Sequence, residues 1–192
     1  ADRILALQLL MQHWNIDYQP ERDGDACDFA LLNQLRCEIE TGAWWQLRMI
    51  DRPVVMKFTS ASGQSVYGVL LAMDEKKALI NFAGEELLLN KNQVTAYWEG
   101  EYYLLWKTPP NYQQPLSMTM SGVDVQWLLT TLAKLENLDL IVPPNAVFDE
   151  KLKTRIEKFQ VQHSLRADGV AGPYTLIALN SLTNANIPRL SN

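Results

Sequence analysis

The chain has 192 residues, 47% hydrophobic and 20% charged, which is enough apolar material for packed cores and excludes a disordered tract. At about 150 residues per domain this length allows one or two domains. The net charge of −5 at pH 7 argues against a nucleic-acid partner, because displacing counterions from phosphates calls for a basic face.

No apolar run approaches the roughly 18–20 residues that cross a bilayer, so no membrane segment is expected in this chain. Residue one is Ala, and no basic-then-apolar leader follows it, so the chain reads as a mature protein or an excised soluble region. His13 and His163 are the only histidines, and neither has the spacing of a zinc site. The glycine-rich phosphate loops and the G-x-S-x-G elbow are missing too. Neither a metal nor another cofactor is expected.

In chain order, residues 3–14 read as a helix, with Ile4, Leu5, Leu9 and Trp14 among its apolar positions. A second helix is expected over 29–35. The pattern then changes to strands at 53–59, 64–73, 78–82, 86–89 and 102–106, separated by Gly63, Asp74–Lys77, Ala83-Gly84 and a polar stretch. Helices followed by a strand meander make an α+β order. The Pro-rich stretch from Thr108 to Pro115 is the expected linker. Charge divides there as well: residues 1–116 carry 10 basic and 15 acidic side chains, and residues 117–192 carry 7 of each. We therefore expect domains at 1–108 and 117–192 joined by 109–116. Beyond the linker, Val125, Leu128, Leu132 and Leu135 share one helical face. Leu152, Ile156 and Phe159 share another behind Asp149 as N-cap, and Gly172-Pro173 opens a third helix.

Three segments of the second part carry a resemblance. Gly122–Leu128 with Leu132 and Leu135, Phe148-Asp149 running to Phe159-Gln160, and Leu165–Leu176 with its Asp168-Gly169 turn are similar to the three-helix peptidoglycan-binding module of cell-wall enzymes. The resemblance implies a wall ligand. Gln126, Arg155, Gln160 and Tyr174 are the candidate contacts. Amides pair with the wall's peptide amides and N-acetyl groups, and Arg155 pairs with a stem-peptide carboxylate. Phe159, Leu176 and Gly169 serve the fold. The segment 137–146 departs from the short glycine-bearing loop of the family and bears on specificity if it borders the groove.

In the first part, Cys27 at the opening of a helix sits as a papain-like nucleophile does. The order that follows resembles the double-glycine leader peptidases over most of residues 20–107. Gln64–Leu71 matches the strand of their catalytic histidine, and Ala78–Phe82 matches the strand whose end supplies an Asp. The chemistry does not carry over. Tyr67 or a neighbour stands where the histidine is expected, and a tyrosine, with an ordinary pKa near 10, is a poor base at neutral pH. Asn81 occupies the region of the Asp, and Gln19 lies too far upstream for an oxyanion donor. The expectation is a peptidase-like fold with no catalytic site, followed by a three-helix peptidoglycan-binding bundle.

Three readings of Cys27 remain: a disulfide to Cys37, a reactive thiol, or two buried free thiols. A bridge requires Cys27 to precede the helix and the chain to turn back near Arg36, because one straight helix over 27–37 would separate the Cα atoms by about 15 Å. Of the adjacent Trp44 and Trp45, one is expected at a partner surface. Residues 101–106 are expected to form an edge strand open to a partner's strand.

Asp25–Ala30, Leu35–Cys37, Gly42–Trp44, Asp51–Pro53 and Trp98–Lys107, with the wall module behind them, resemble the periplasmic regions of type II secretion assembly factors. That resemblance implies a parent with a cytoplasmic ATPase domain and an inner-membrane anchor. It also implies peptidoglycan and general secretion pathway protein B as partners and a part in placing the outer-membrane secretin. The alternative reading is a wall-targeted cysteine peptidase or amidase using Cys27, with its base supplied by a residue such as His13.

Overall fold

The computed structural model describes residues 2–190. They form two compact units, one running through Trp106 and including the segment from Pro188, the other Lys107–Ile187.

The first unit begins with three helices, α1 (Arg3–His13), α2 (Pro20–Asp23) and α3 (Ala26–Leu32). Asp2 caps α1 by accepting from the Leu5 amide at 2.8 Å. Strand β1 (Leu35–Thr41) and helix α4 (Trp44–Ile50) follow. Then come β2 (Val54–Thr59), β3 (Ser65–Met73), β4 (Lys77–Phe82), β5 (Glu85–Asn90), the short α5 (Lys91–Thr95) and β6 (Trp98–Lys107). The strands make one sheet in the order β1-β6-β2-β3-β4-β5. The pairs β2–β3, β2–β6, β3–β4 and β4–β5 are antiparallel. Leu7, Leu10 and Met11 of α1 pack with Val55, Val69 and Leu105 of the sheet in one buried cluster. Covering one sheet face with a helix is the usual α+β solution.

Two expectations are corrected here. The second helix spans 26–32 rather than 29–35. Asp25 accepts from the amides of Cys27 and Asp28 at 2.8 and 3.2 Å, and that cap starts the helix three residues earlier. Gln34, with φ of +63°, turns the chain, so Leu35 opens a strand. Residues 101–106 are also not an edge. They belong to β6, which lies between β1 and β2, and Tyr102–Trp106 are buried throughout. A strand covered on both faces carries a continuous apolar run instead of an alternating one. The edges of the sheet are β1 and β5.

The second unit holds three helices, α6 (Val123–Leu135), α7 (Glu150–Gln162) and α8 (Pro173–Thr183). Leu128, Leu132, Phe148, Ile156 and Leu176 are fully or almost fully buried and form its core. Asp149 caps α7 by accepting from Leu152 N at 2.8 Å. The chain ahead of α6 belongs to this unit. Leu116 is buried and exchanges both backbone hydrogen bonds with Ala171, at 3.1 and 2.9 Å.

Candidate functional site

The residues that the sequence reading set at a peptidase's positions make structural contacts. Cys27 lies in the first turn of α3 and Cys37 in β1, with Cα atoms 5.2 Å apart and the sulfurs bonded. Cys27 is thus inside the helix, not ahead of it. The bridge forms because the helix ends at Leu32 and β1 runs back past its start. The sulfur is a disulfide sulfur, with no thiolate to offer as a nucleophile. Tyr67, in β3, sits opposite Lys57 in register and meets Tyr103 edge to face at 6.3 Å. Lys57 is held charged by Glu101, 2.9 Å away, which raises its pKa. Asn81 is committed to the β4–β5 turn, where its side-chain oxygen accepts from Gly84 N at 2.7 Å. His13 is exposed in the last turn of α1.

The two adjacent tryptophans part company. Trp44 is 6% exposed and donates its indole N–H to the Asp74 carbonyl at 3.0 Å. Trp45 is 59% exposed. It lines a cleft of about 690 Å³ together with Arg48, Glu75, Lys91 and Trp98. The Lys91 ammonium lies 5.9 Å from the Trp44 ring centre, within reach of a cation–π attraction. Arg48 faces Glu75 at 3.4 Å.

The second unit carries a groove of about 820 Å³. Gln126, Trp127, Thr130 and Lys134 of α6 line one side. Their spacing of one, three and four residues puts them on the face opposite Val125, Leu128 and Leu132, which enter the core. Asn180 and Thr183 of α8 line the other side, and Lys107 and Asn111 complete it. Asn180 donates to the Lys107 carbonyl at 2.7 Å, which fixes that wall. No carboxylate occurs among the described residues that line the groove. The lining consists of amides, hydroxyls, one indole, two ammonium groups and the apolar Pro110 and Val123. That set suits a ligand with amides, an apolar face and a carboxylate.

Of the four residues read from the sequence as wall contacts, Gln126 alone lines this groove. Its amide reaches toward the Val142 carbonyl at 3.5 Å, so the unusual 137–146 segment does touch the groove's edge. Arg155 is paired with Glu136 Oε2 at 2.8 and 3.0 Å. Gln160 is 1% exposed. Its amide nitrogen donates to Asp168, Val170 and Thr175 at 3.1, 2.9 and 3.1 Å, and its oxygen accepts from Gly169 N at 2.9 Å. It clamps the turn at Gly169, whose φ is +69°. Tyr174 is partly exposed in the first turn of α8. Trp127, Lys134 and Asn180 were missed in the sequence. The readable signal was Trp127, an aromatic residue out of phase with the apolar face of its own helix.

A six-stranded sheet backed by an N-terminal helix, with Cys27 in a disulfide and a three-helix unit following in sequence, defines a peptidase-like domain and a wall-module-like bundle. Residues 1–108 match the family model described as GspA, peptidase C39-like domain. The chain belongs to that family. Residues 121–179 match the family described as "Putative peptidoglycan binding domain". The chain is similar to general secretion pathway protein A of Aeromonas hydrophila, with 28% identity over 187 residues that cover 96% of this chain and 33% of that protein. It thus spans about a third of that relative's length. Among solved structures it is similar to a periplasmic domain of the EpsAB fusion protein of the Vibrio vulnificus type II secretion system. The TM-score is 0.62 at 25% identity, covering 93% of this chain and 77% of that one.

Proposed function

We propose that this chain is a non-catalytic periplasmic region of a type II secretion assembly factor. Its second unit holds peptidoglycan, and its first unit docks a partner protein, general secretion pathway protein B. Through the two contacts it helps place the outer-membrane secretin in the wall. The parent protein then carries the inner-membrane anchor and the ATPase domain.

The observation that carries this reading is the groove beside α6 and α8. A stem peptide presents amides and carboxylates, and its sugars present N-acetyl groups. Gln126, Asn180 and Asn111 match the amides. Lys134 and Lys107 match the carboxylates. Trp127 offers an amphipathic face to the acetyl and ring carbons. The family match over residues 121–179 points the same way. The Cys27–Cys37 bond supports the non-catalytic side of the reading, and an oxidising compartment favours such a bond. In the first unit the exposed Trp45, beside the buried Trp44, supports protein docking.

Sedimentation of the whole chain with purified sacculi tests the proposal. Trp127→Ala and Lys134→Glu should each leave most of the protein in the supernatant. Undiminished sedimentation of both variants would move the wall contact elsewhere. The enzyme reading is tested by Cys27→Ala, which abolishes any hydrolysis of sacculi if Cys27 is a nucleophile and changes only stability if it is not.

A further inference from the structure

The sheet ends at β5, and that edge is open. Ala83 and Gly84 join β4 to β5 with φ of +57° and +97°, the paired left-handed values of a type I′ hairpin turn. Such a turn makes Phe82 and Glu85 a hydrogen-bonded pair, and by alternation Ile80–Leu87 and Ala78–Leu89 are hydrogen-bonded pairs too. The N–H and C=O groups of Glu86 and Leu88 therefore point away from β4. At the far end Asn90 is already committed. Its N–H donates to Gln93 Oε1 at 2.9 Å, and its side chain accepts from Gln93 N at 3.0 Å.

Exposed edges are normally blunted by proline, a bulge, brevity or charged side chains, and in β5 the charges are confined to Glu85 and Glu86 at its start. β5 runs six residues without proline and in unbroken register with β4. Leu87 and Leu88 lie on opposite faces and are 38% and 63% exposed. The other edge strand, β1, is tied to α3 by the disulfide. Charge is ordered along β5. Glu85 and Glu86 stand at its start, and Lys77 pairs across from Asn90 at its end, with Lys91 next in sequence. Asp74 and Glu75 also lie at that end, but Asp74 accepts from the Lys76 and Lys77 amides and Glu75 is paired with Arg48.

We propose that the β5 edge accepts an extended segment of a partner protein, added antiparallel to β5. The segment is acidic at its amino-terminal end, apolar on both faces in its middle, and basic at its carboxy-terminal end. The backbone groups of Glu86 and Leu88 supply the main-chain hydrogen bonds, and the charges set direction. The amino-terminal end of the segment arrives at Lys91, which also lines the Trp45 cleft, so edge and cleft form one docking surface. A second copy of this chain offers the same charge order in its own β5, but its register is wrong: satisfying all four free groups centres the pair on Leu87 and sets Glu85 and Glu86 against Leu89 and Leu88 of the copy, so the charges do not meet their opposites. The inference rests on the reading that the first unit docks a protein, and it names the surface and the partner's chemistry.

The test uses the whole chain and a fluorescent synthetic peptide with the order acidic, alternating valine and threonine, basic. A second peptide reverses the charge order. Leu88→Pro removes an N–H that faces away from β4, so the β4–β5 ladder survives. Glu86→Lys is the second variant, should proline disturb the fold as read by circular dichroism. The expected result is binding of the first peptide, weakened about tenfold or more by charge reversal and by either variant. Equal binding of both peptides, binding of neither, or variants that bind as the native chain does would overturn the proposal. Binding of protein B to the same chains is read separately. If the native chain and Leu88→Pro bind protein B alike, docking stands without this edge. If the native chain fails to bind protein B, the docking reading falls, and the peptide result alone decides the edge.

Discussion

At the scale of single residues, side chains that read alike in the sequence take opposite roles in the structure. Trp44 and Trp45 are neighbours, and a regular helix cannot turn both inward. One being exposed was legible, and α4 makes it Trp45. Gln126 and Gln160 were not separable. An amide on a helix looks the same whether it faces a ligand or closes a turn, and only the return of the chain at Asp168–Val170 decides that Gln160 is spent inside. Replacing Gln160 with Leu keeps the volume but strands the Gly169 N–H and the Val170 carbonyl, at a cost of roughly 1–3 kcal/mol for each buried group left unpaired. Urea unfolding should show that loss. An unchanged midpoint with lost wall binding would return Gln160 to the ligand. Breaking the Cys27–Cys37 bond by a double alanine substitution should lower stability by roughly 2–3 kcal/mol for so short a loop, with wall sedimentation unchanged below the melting range.

At the scale of elements, the strand meander and the three C-terminal helices were legible, because alternation and the three-four spacing carry through. Three things were not. The strand at Leu35–Thr41 hides in a charged segment, since it runs at the sheet's edge. The interior place of β6, between β1 and β2, shows in its continuous apolar run, but such a run does not name the neighbours that cover it. Helices α2, α4 and α5 are too short for a period to show. Gly68 illustrates how tightly the meander closes. A Cβ there would stand 2.6 Å from Ile80 Cγ2 and 2.7 Å from Phe82 Cε1, so Gly68→Ala should cost about 1–3 kcal/mol by overpacking, visible as a lower melting temperature. The β3–β4 turn has its own pH dependence. Asp74 accepts from the Lys76 and Lys77 amides at 2.6 and 2.8 Å, and those bonds lower its pKa from the ordinary 3.8. A lowered carboxyl stabilises the fold fully above its ordinary pKa, and that contribution is lost as pH falls through the lower folded value. Amide exchange at Lys76 and Lys77, corrected for intrinsic rate, should accelerate only on acidification below that ordinary value. An Asp74→Asn chain should lack the step.

For the whole molecule, the proposed function divides between the units. The first has a peptidase-like fold in which the Cys27 sulfur is bonded to Cys37, Tyr67 packs against Tyr103 and Asn81 holds a turn. Its sheet has an exposed edge at β5, and its α4 an exposed indole at Trp45. The second presents a face of amides, hydroxyls and two lysines. Because the lysines supply only part of that contact, sedimentation with sacculi should weaken with salt without vanishing. The class of both units was legible through short motifs, but the groove was not. It draws on Lys107 and Asn111 from before α6 and on Asn180 from α8, residues whose convergence no local pattern records. The central claim is that this groove holds the wall. It is tested most directly by titrating isotopically labelled whole chain with soluble muropeptides and following amide shifts by NMR. The account predicts shifts concentrated at Gln126–Lys134 and Asn180–Asn184, with the Trp127 and Asn180 side-chain signals moving together. Shifts confined to the Arg155, Tyr174 or Trp45 regions, or none at saturating muropeptide, would contradict it.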